Sequence, residues 1–293
     1  MKKISRLQLT EVGIFLALII GVPMLIILFL FGSRTELAKS AYDDPLLDTI
    51  LQDYYKDSPT RANFSGNEVT NRTELDSYVQ KSIATHTGRY AVYMQSFTKN
   101  DSVTYNENEK FTLASLAKLV TAVVYYSKYN FGDSSMDAQI AAMMKTSDNG
   151  AFDQVLQRIQ ISTIETFLKD NNISSNEIDF ESNEGTASGI MKILLLLKES
   201  SYIDQTERQF LYSNMTHTKF EDRLPYLLPD TAQVAHKVGQ YGSAYNDAGI
   251  ILSDNHEQFA VVVLTEDGET SNEIEYIQNT SLALYQYYIN TKL

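Results

Sequence analysis

"FTLASLAKLVTA", residues 111–122, is the stretch on which the reading of this chain turns. It puts Ser115 and Lys118 three positions apart at the start of an apolar helical pattern, and residues so spaced on a helix share one face, about 5–6 Å apart at Cβ. That is within reach of a side-chain hydrogen bond. A helix start also offers unpaired backbone N–H groups and the positive end of the helix dipole, useful for activating a hydroxyl and for receiving an oxyanion. Lys118 precedes Leu119, Val120 and Ala122. Its ammonium is therefore expected to be partly desolvated, which lowers an amine's pKa and fits it to act as a base. The same spacing recurs at Ser96 and Lys99 in "MQSFTKND". There it spans a strand end and a turn, where nothing holds the two side chains together, and both are read as surface polar residues.

The bulk numbers narrow the classes. With 293 residues, 43% of them hydrophobic, the chain can bury one good-sized core and carry appendages. A net charge of −13, with no basic cluster beyond the extreme N-terminus, argues against nucleic acid, whose binding is mainly Lys/Arg neutralisation of phosphates. The absence of cysteine excludes disulfides, thiolate nucleophiles and Cys-based metal sites, and fits a bacterial cell surface better than a disulfide-forming secretory route. His86, His217, His236 and His256 are scattered, without ligand spacing, so neither metal nor cofactor is expected.

Residues 12–31, "VGIFLALIIGVPMLIILFLF", hold no charge and are long enough to cross a hydrocarbon core of about 30 Å. Gly21 and Pro23 are tolerable inside a bilayer. Lys2, Lys3 and Arg6 precede the segment, so the positive-inside rule puts residues 1–11 in the cytoplasm, a membrane span at 12–32, and the rest outside. A cleaved signal peptide is the rival reading. Its apolar region would be shorter, and Ala38-x-Ser40 is a poor cleavage site. Residues 33–71 read as a linker with a short helix after Asp44 and Pro45, then a polar run rich in Ser, Asn, Gly and Pro.

The domain is placed at 72–293. It opens with a helical pattern around Leu75 to Ile83, followed by a hairpin from "RYAVYMQSF" (89–97) and "SVTYN" (102–106). Helical patterns dominate from Leu113 to about Ser213. Strands return at "QVAHKVG", "AGIILSD" and "QFAVVVLTED", and a helix closes the chain from Asn272 to Ile289. Strands at both ends with helices between them predict an α+β domain, one antiparallel sheet built from N- and C-terminal strands and packed with helices.

Two further pieces follow Ser115 and Lys118 in order: Ser147-Asp148-Asn149 at a junction of two helical patterns, and Lys237-Val238-Gly239 in a late strand. Taken as plain polar residues, Asp148 and Asn149 cap a helix and Lys237 is an exposed strand lysine. Taken together with Ser115 and Lys118, the set resembles the class A β-lactamases and penicillin-binding proteins, whose motifs are Ser-x-x-Lys, Ser-Asp-Asn and Lys-Thr-Gly. Flanking stretches are similar too: "EKFTLASLAK", "TSDNGAFDQVLQRI" and the run "FEDRLPYLLPDTAQVAHKVGQYGSAYNDAGIIL", a coverage from about Leu75 to the end. A second Ser-Asp-Asn, Ser253-Asp254-Asn255, lies between two strands and reads as a hairpin turn.

The resemblance implies these roles. Ser115 attacks a carbonyl and Lys118 takes or relays its proton. Ser147 passes a proton to the leaving nitrogen, Asn149 holds the substrate amide and Lys118, and Lys237 keeps the site electropositive. Backbone N–H groups of Ser115 and of Gln240, next to Gly239, form the oxyanion hole. The implied ligand is a peptidoglycan peptide or a β-lactam.

Three departures bear on function. The Glu-x-x-Leu-Asn loop, whose Glu activates the deacylating water in class A enzymes, is missing; "ISSNEIDFESNEGTASG" offers only Glu177, Glu181 or Glu184, which predicts slow deacylation. Valine stands where the family has the threonine of Lys-Thr-Gly, so a hydroxyl donor to a substrate carboxylate is lost unless Tyr241, Ser243 or His236 replaces it. The interval from Ser115 to Ser147 is short, which implies a trimmed helical lobe and an open site suited to a polymer. The expectation is a membrane-anchored, extracellular serine hydrolase acting on cell-wall peptides. A true β-lactamase and a catalytically silent wall-binding module are the alternatives.

Overall fold

The structure is a computed structural model, and it describes residues 69–85, 87–97, 101–198, 201–253 and 258–290. The predicted span, most of the linker, Lys99, His86, His256 and Asp254-Asn255 lie outside them. No helix among the described residues is long and apolar enough to cross a membrane.

The expected α+β layout is present. One antiparallel sheet has the order β2-β1-β8-β7-β6, from β1 (Arg89–Ser96), β2 (Ser102–Tyr105), β6 (Gln233–Tyr241), β7 (Ala244–Leu252) and β8 (Gln258–Glu266). It is covered on both faces. Val92, Met94, Val261 and Val263 point to a core that includes Leu75 and Val79 of α1 (Arg72–Thr85) and Tyr276 and Leu284 of α8 (Thr270–Asn290). Ala91, Val262, Leu264 and Ala248 point to the other core, built with α2 (Leu116–Lys128), α3 (Ser134–Lys145), α4 (Asn149–Ile159), α5 (Ile161–Asp170), α6 (Ala187–Lys198) and α7 (Gln205–Met215). Burial on both faces explains why β8 reads as a continuous apolar run and lacks the alternation of a half-exposed strand.

Three very short strands escaped the sequence reading: β3 (Phe111–Thr112), β4 (Ile178–Asp179) and β5 (Glu184–Gly185), in the order β3-β5-β4. Two-residue strands are too short for a period-two pattern to register. They tie the segment entering α2 to the stretch that contains the three candidate glutamates.

One prediction is corrected outright. Ser96 is buried, and its hydroxyl shares a 2.9 Å hydrogen bond with Tyr288 of α8, so it fastens the hairpin to the terminal helix and does not lie on the surface. Ser253, by contrast, does follow the last residue of β7, in the expected connection between two strands.

Candidate active site

Ser115 sits at the entrance to α2, not inside it. It is the N-cap residue, and the backbone reaches it through Ala114, held at φ +53°. Left-handed backbone at a residue with a Cβ costs on the order of 1–3 kcal/mol, so surrounding contacts must enforce it. Asn246 of β7 supplies two of them, its amide nitrogen donating to the carbonyls of Thr112 (2.8 Å) and Leu113 (3.3 Å) while its oxygen accepts from the N–H of Thr265 (3.1 Å). Gly239 supplies a third: a Cβ there would lie 2.4 Å from the Leu113 carbonyl oxygen. Only glycine lets β6 approach this turn so closely. Gly239→Ala is accordingly expected to push the turn outward, lowering stability by about 1–3 kcal/mol and slowing any reaction at Ser115; denaturant unfolding and a Ser115 labelling rate check both.

α2 is buried along most of its length, which carries Lys118 into the core with only 2% of its surface exposed. Its Nζ lies 2.7 Å from the Ser147 carbonyl oxygen, 2.7 Å from Asn149 Oδ1, 3.1 Å from Ser115 Oγ and 3.2 Å from Ser147 Oγ. Burial lowers its pKa from the usual lysine range, partly offset by the charges of Asp148 and Asp153. The ring centre of Phe152 is 5.7 Å from the same nitrogen. A neutral amine has two N–H donors and one lone pair. In that form the two shortest contacts, to carbonyl-type acceptors, would take both donors and leave the lone pair for the Ser115 hydroxyl proton.

Ser147 is also left-handed, at φ +59°, in the connection between α3 and α4. Asp148 caps α4 by accepting from the N–H of Ala151 at 2.7 Å, so the capping reading holds for Asp148, while Asn149 is turned to Lys118. On the other side Lys237 donates to Ser147 Oγ at 3.1 Å and to the carbonyl of Val238 at 2.8 Å. Lys237 is no exposed strand lysine: it is 1% exposed. Burial, then the charge of Lys118, push its pKa down to about 7 against the pull of Asp247. Ser147 Oγ thus bridges two amines.

The remaining predicted residues are close by. Gln240 lines the same cleft, of about 390 Å³, as Ser115, Lys118 and Asn149. It lies on β6, the edge strand, where backbone groups not paired with β7 face outward. Of the three residues considered as substitutes for a hydroxyl at Val238, only Tyr241 lines the cleft. Ser243 donates to Asp267 at 2.9 Å. His236 is wholly buried, its Nδ1 2.8 Å from Asp247 Oδ2 and its Nε2 3.2 Å from Glu221 Oε1. Burial alone would lower its pKa, but the charges of Asp247 and Glu221 win and raise it to about 9.

Phe152, Leu156, Ile161 and Phe180, which motif reading did not single out, join Tyr241 in giving the cleft an apolar and aromatic lining. Arg223 was missed as well. Fully buried, it donates to the carbonyls of Gly239 (3.3 Å) and Asn246 (3.0 Å) and to Gln240 Oε1 (2.7 Å), bracing the end of β6. The signal for Asn246 was available: Asn-Asp inside an otherwise apolar strand marks buried polar groups with work to do.

A model of a family described as "Beta-lactamase enzyme family" matches residues 74–141 and 135–288. No curated protein matches in sequence. Among solved structures, a β-lactamase from Chitinophaga pinensis DSM 2588 aligns with 19% identity and TM-score 0.65, covering 74% of this chain and 99% of its own. TLA-1 extended-spectrum β-lactamase aligns with 18% identity and TM-score 0.67, over 76% of this chain and 100% of its own. A structure of PBP-A gives 16% and 0.67, over 77% and 100%. At these identities the likeness is one of fold.

Proposed function

The chain belongs to the β-lactamase enzyme family of serine hydrolases, and from that premise we propose that Ser115 is its nucleophile and Lys118 the base, in an extracellular enzyme acting on cell-wall peptides. The observation that carries the assignment is the placement of Lys118 Nζ 3.1 Å from Ser115 Oγ, with the Ser147 carbonyl and Asn149 Oδ1 as closer acceptors at 2.7 Å. In the acylation step the Ser115 Oγ–carbonyl carbon bond forms and the carbon–nitrogen bond of the amide breaks. The proton leaves Oγ for Lys118 and is returned through Ser147 Oγ to the departing nitrogen, a path that both amines flank at 3.1–3.2 Å. The N–H groups of Ser115 and Gln240 receive the oxyanion, Asn149 holds the substrate amide, and Lys237 draws a substrate carboxylate.

Slow deacylation is part of the reading. Glu177, tied to Lys192 at 2.6 Å, and Glu184, facing Lys110 at 4.0 Å, are not among the residues lining the cleft with Ser115. Glu181 lines the cleft but is exposed. A polymer substrate is supported by the short helical lobe, α2 and α3 alone between Ser115 and Ser147, and by the open aromatic rim at Tyr241. The apolar run at 12–32 would hold the domain at the outer face of a membrane.

The test is intact mass of the full-length chain in detergent after exposure to benzylpenicillin, with peptide mapping of any adduct. A lasting adduct on the peptide containing Ser115 is expected. An unmodified chain beside intact antibiotic would overturn the reading for this acyl class, and an unmodified chain beside hydrolysed antibiotic would make the protein a turnover β-lactamase.

A further inference from the structure

Arg223 lies in the connection between α7 and β6, and its guanidinium is buried without a close carboxylate. Asp222 Oδ1 is 3.9 Å from its Nε, and its hydrogen bonds go to neutral oxygens. Burying a charge is costly unless its donors are well placed. The backbone that carries it is fastened from two sides: the N–H of Leu224 donates to Asp247 Oδ2 of β7 at 3.0 Å, and Ser281 Oγ of α8 donates to the Leu224 carbonyl at 2.7 Å. The sheet and the terminal helix therefore set the aim of the guanidinium, independently of the cleft.

What it is aimed at is one peptide plane. Nη1 reaches the carbonyl oxygens of Gly239 and Asn246, residues that face each other across β6 and β7. A nitrogen shared between these two oxygens requires the Gly239 carbonyl to point toward β7. That carbonyl and the Gln240 N–H belong to the same trans peptide, so they point in opposite directions. The Gln240 N–H is thereby turned off the open edge of the sheet, at a residue that lines the cleft. We propose that Arg223 is a positioning residue for the oxyanion hole, clamping the Gly239–Gln240 peptide so that its N–H meets the carbonyl oxygen of an acyl group on Ser115. The link from Nη2 to Gln240 Oε1, at 2.7 Å, fixes the same residue through its side chain. A cation on the carbonyl also polarises the peptide and strengthens its N–H as a donor. The need for a clamp lies in the place: β6 is an edge strand, and two residues beyond Gln240 the chain turns at Gly242, φ +58°. The inference rests on the reading of Ser115 as nucleophile.

Arg223→Lys, which keeps the charge and loses the fork, tests the clamp in the full-length chain. Arg223→Met, which carries no charge into the core, is the second variant. Saturation kinetics with benzylpenicillin separate the acylation rate constant from the dissociation constant. The rate constant is expected to fall about ten- to a hundredfold, less than outright loss of an oxyanion donor, with the dissociation constant within about twofold of wild type. In the infrared the ester carbonyl of the acyl-enzyme is expected to move to higher wavenumber, a signature of a weakened oxyanion hole that lowered stability alone does not produce. Amide hydrogens of peptides spanning residues 238–243 are expected to exchange about tenfold faster. An unchanged rate constant or an unmoved carbonyl band in a folded variant overturns the proposal, as does unchanged exchange, whether or not the antibiotic acylates Ser115. Failure of both variants to fold, read by circular dichroism, overturns it too, leaving Arg223 a residue of the fold alone. Faster exchange in the variants beside a wild type that forms no adduct would leave the clamp standing and remove the nucleophile assignment for this acyl class instead.

Discussion

Lys118→Met is expected to slow acylation of Ser115 by benzylpenicillin about 10²- to 10⁴-fold, the usual span for loss of a general base. Methionine matches the length of the lysine stem and suits its 2% exposure, so the fold should survive, at a cost of about 1–3 kcal/mol for leaving Asn149 Oδ1 and the Ser147 carbonyl without their donor. The pH profile distinguishes lost chemistry from lost shape. In wild type the reactive amine must be neutral, so the rate should fall as pH drops through a pKa that burial has lowered from the lysine range. The residual rate of Lys118→Met should lack that limb. An unchanged rate with an unchanged profile would remove Lys118 from the mechanism.

Asp247→Ala should cause the largest loss of stability, about 3–5 kcal/mol, because it removes the nearer carboxylate of the buried His236 and leaves Glu221 alone beside it. Asp247 is wholly buried; it meets His236 Nδ1 through both oxygens, at 2.8 and 2.9 Å, and accepts the N–H of Leu224 at 3.0 Å, next to Arg223. The pH dependence follows in sign. His236 is raised from 6.5 to about 9, so its contribution is complete below about pH 6.5 and is lost as pH rises through about 9. Lys237, lowered from 10.5 to about 7, works oppositely: its buried charge burdens the fold below about pH 7 and ceases to do so toward 10.5. Denaturant midpoints of wild type should therefore change little between about pH 7 and 9, where the two slopes oppose. Lys237→Met should expose the His236 slope, with stability falling as pH rises, and Asp247→Ala should abolish that slope. A Lys237→Met variant whose stability rises over that range would contradict the charged state of His236.

What the sequence disclosed follows from distance along the chain. Ser115 and Lys118 are neighbours on a helix face, and the order of strands and helices repeats local periodicity, so both were legible. Ser147 and Asn149 were recognisable as a motif, and the resemblance implied that Asn149 holds Lys118; that Ser147 would reach the same amine, from 29 positions away, was not legible. Ser96 was misjudged because its partner, Tyr288, lies 192 positions on. His236 looked like a lone strand histidine until β7 set Asp247 beside it and Glu221 came in from outside the strand. Ala114 carries no conformational signal of its own; the left-handed backbone there is imposed by Asn246 and the close approach of β6.

The strand order also bears on when this molecule can become active. β1, made early, pairs locally with β2 but finds its second partner only in β8: Ala91 pairs with Leu264 and Ser96 with Phe259. Such nonlocal pairing carries a large loop-closure cost and makes folding slow. A growing chain will have exposed Ser115 and Lys118 long before the sheet that brings Lys237 to them can close, and it gains that sheet only once β8 and α8 have been synthesised. Full-length translation thus acts as a timer on the nucleophile, and a chain stopped short of residue 258 would carry every motif without the scaffold that assembles them.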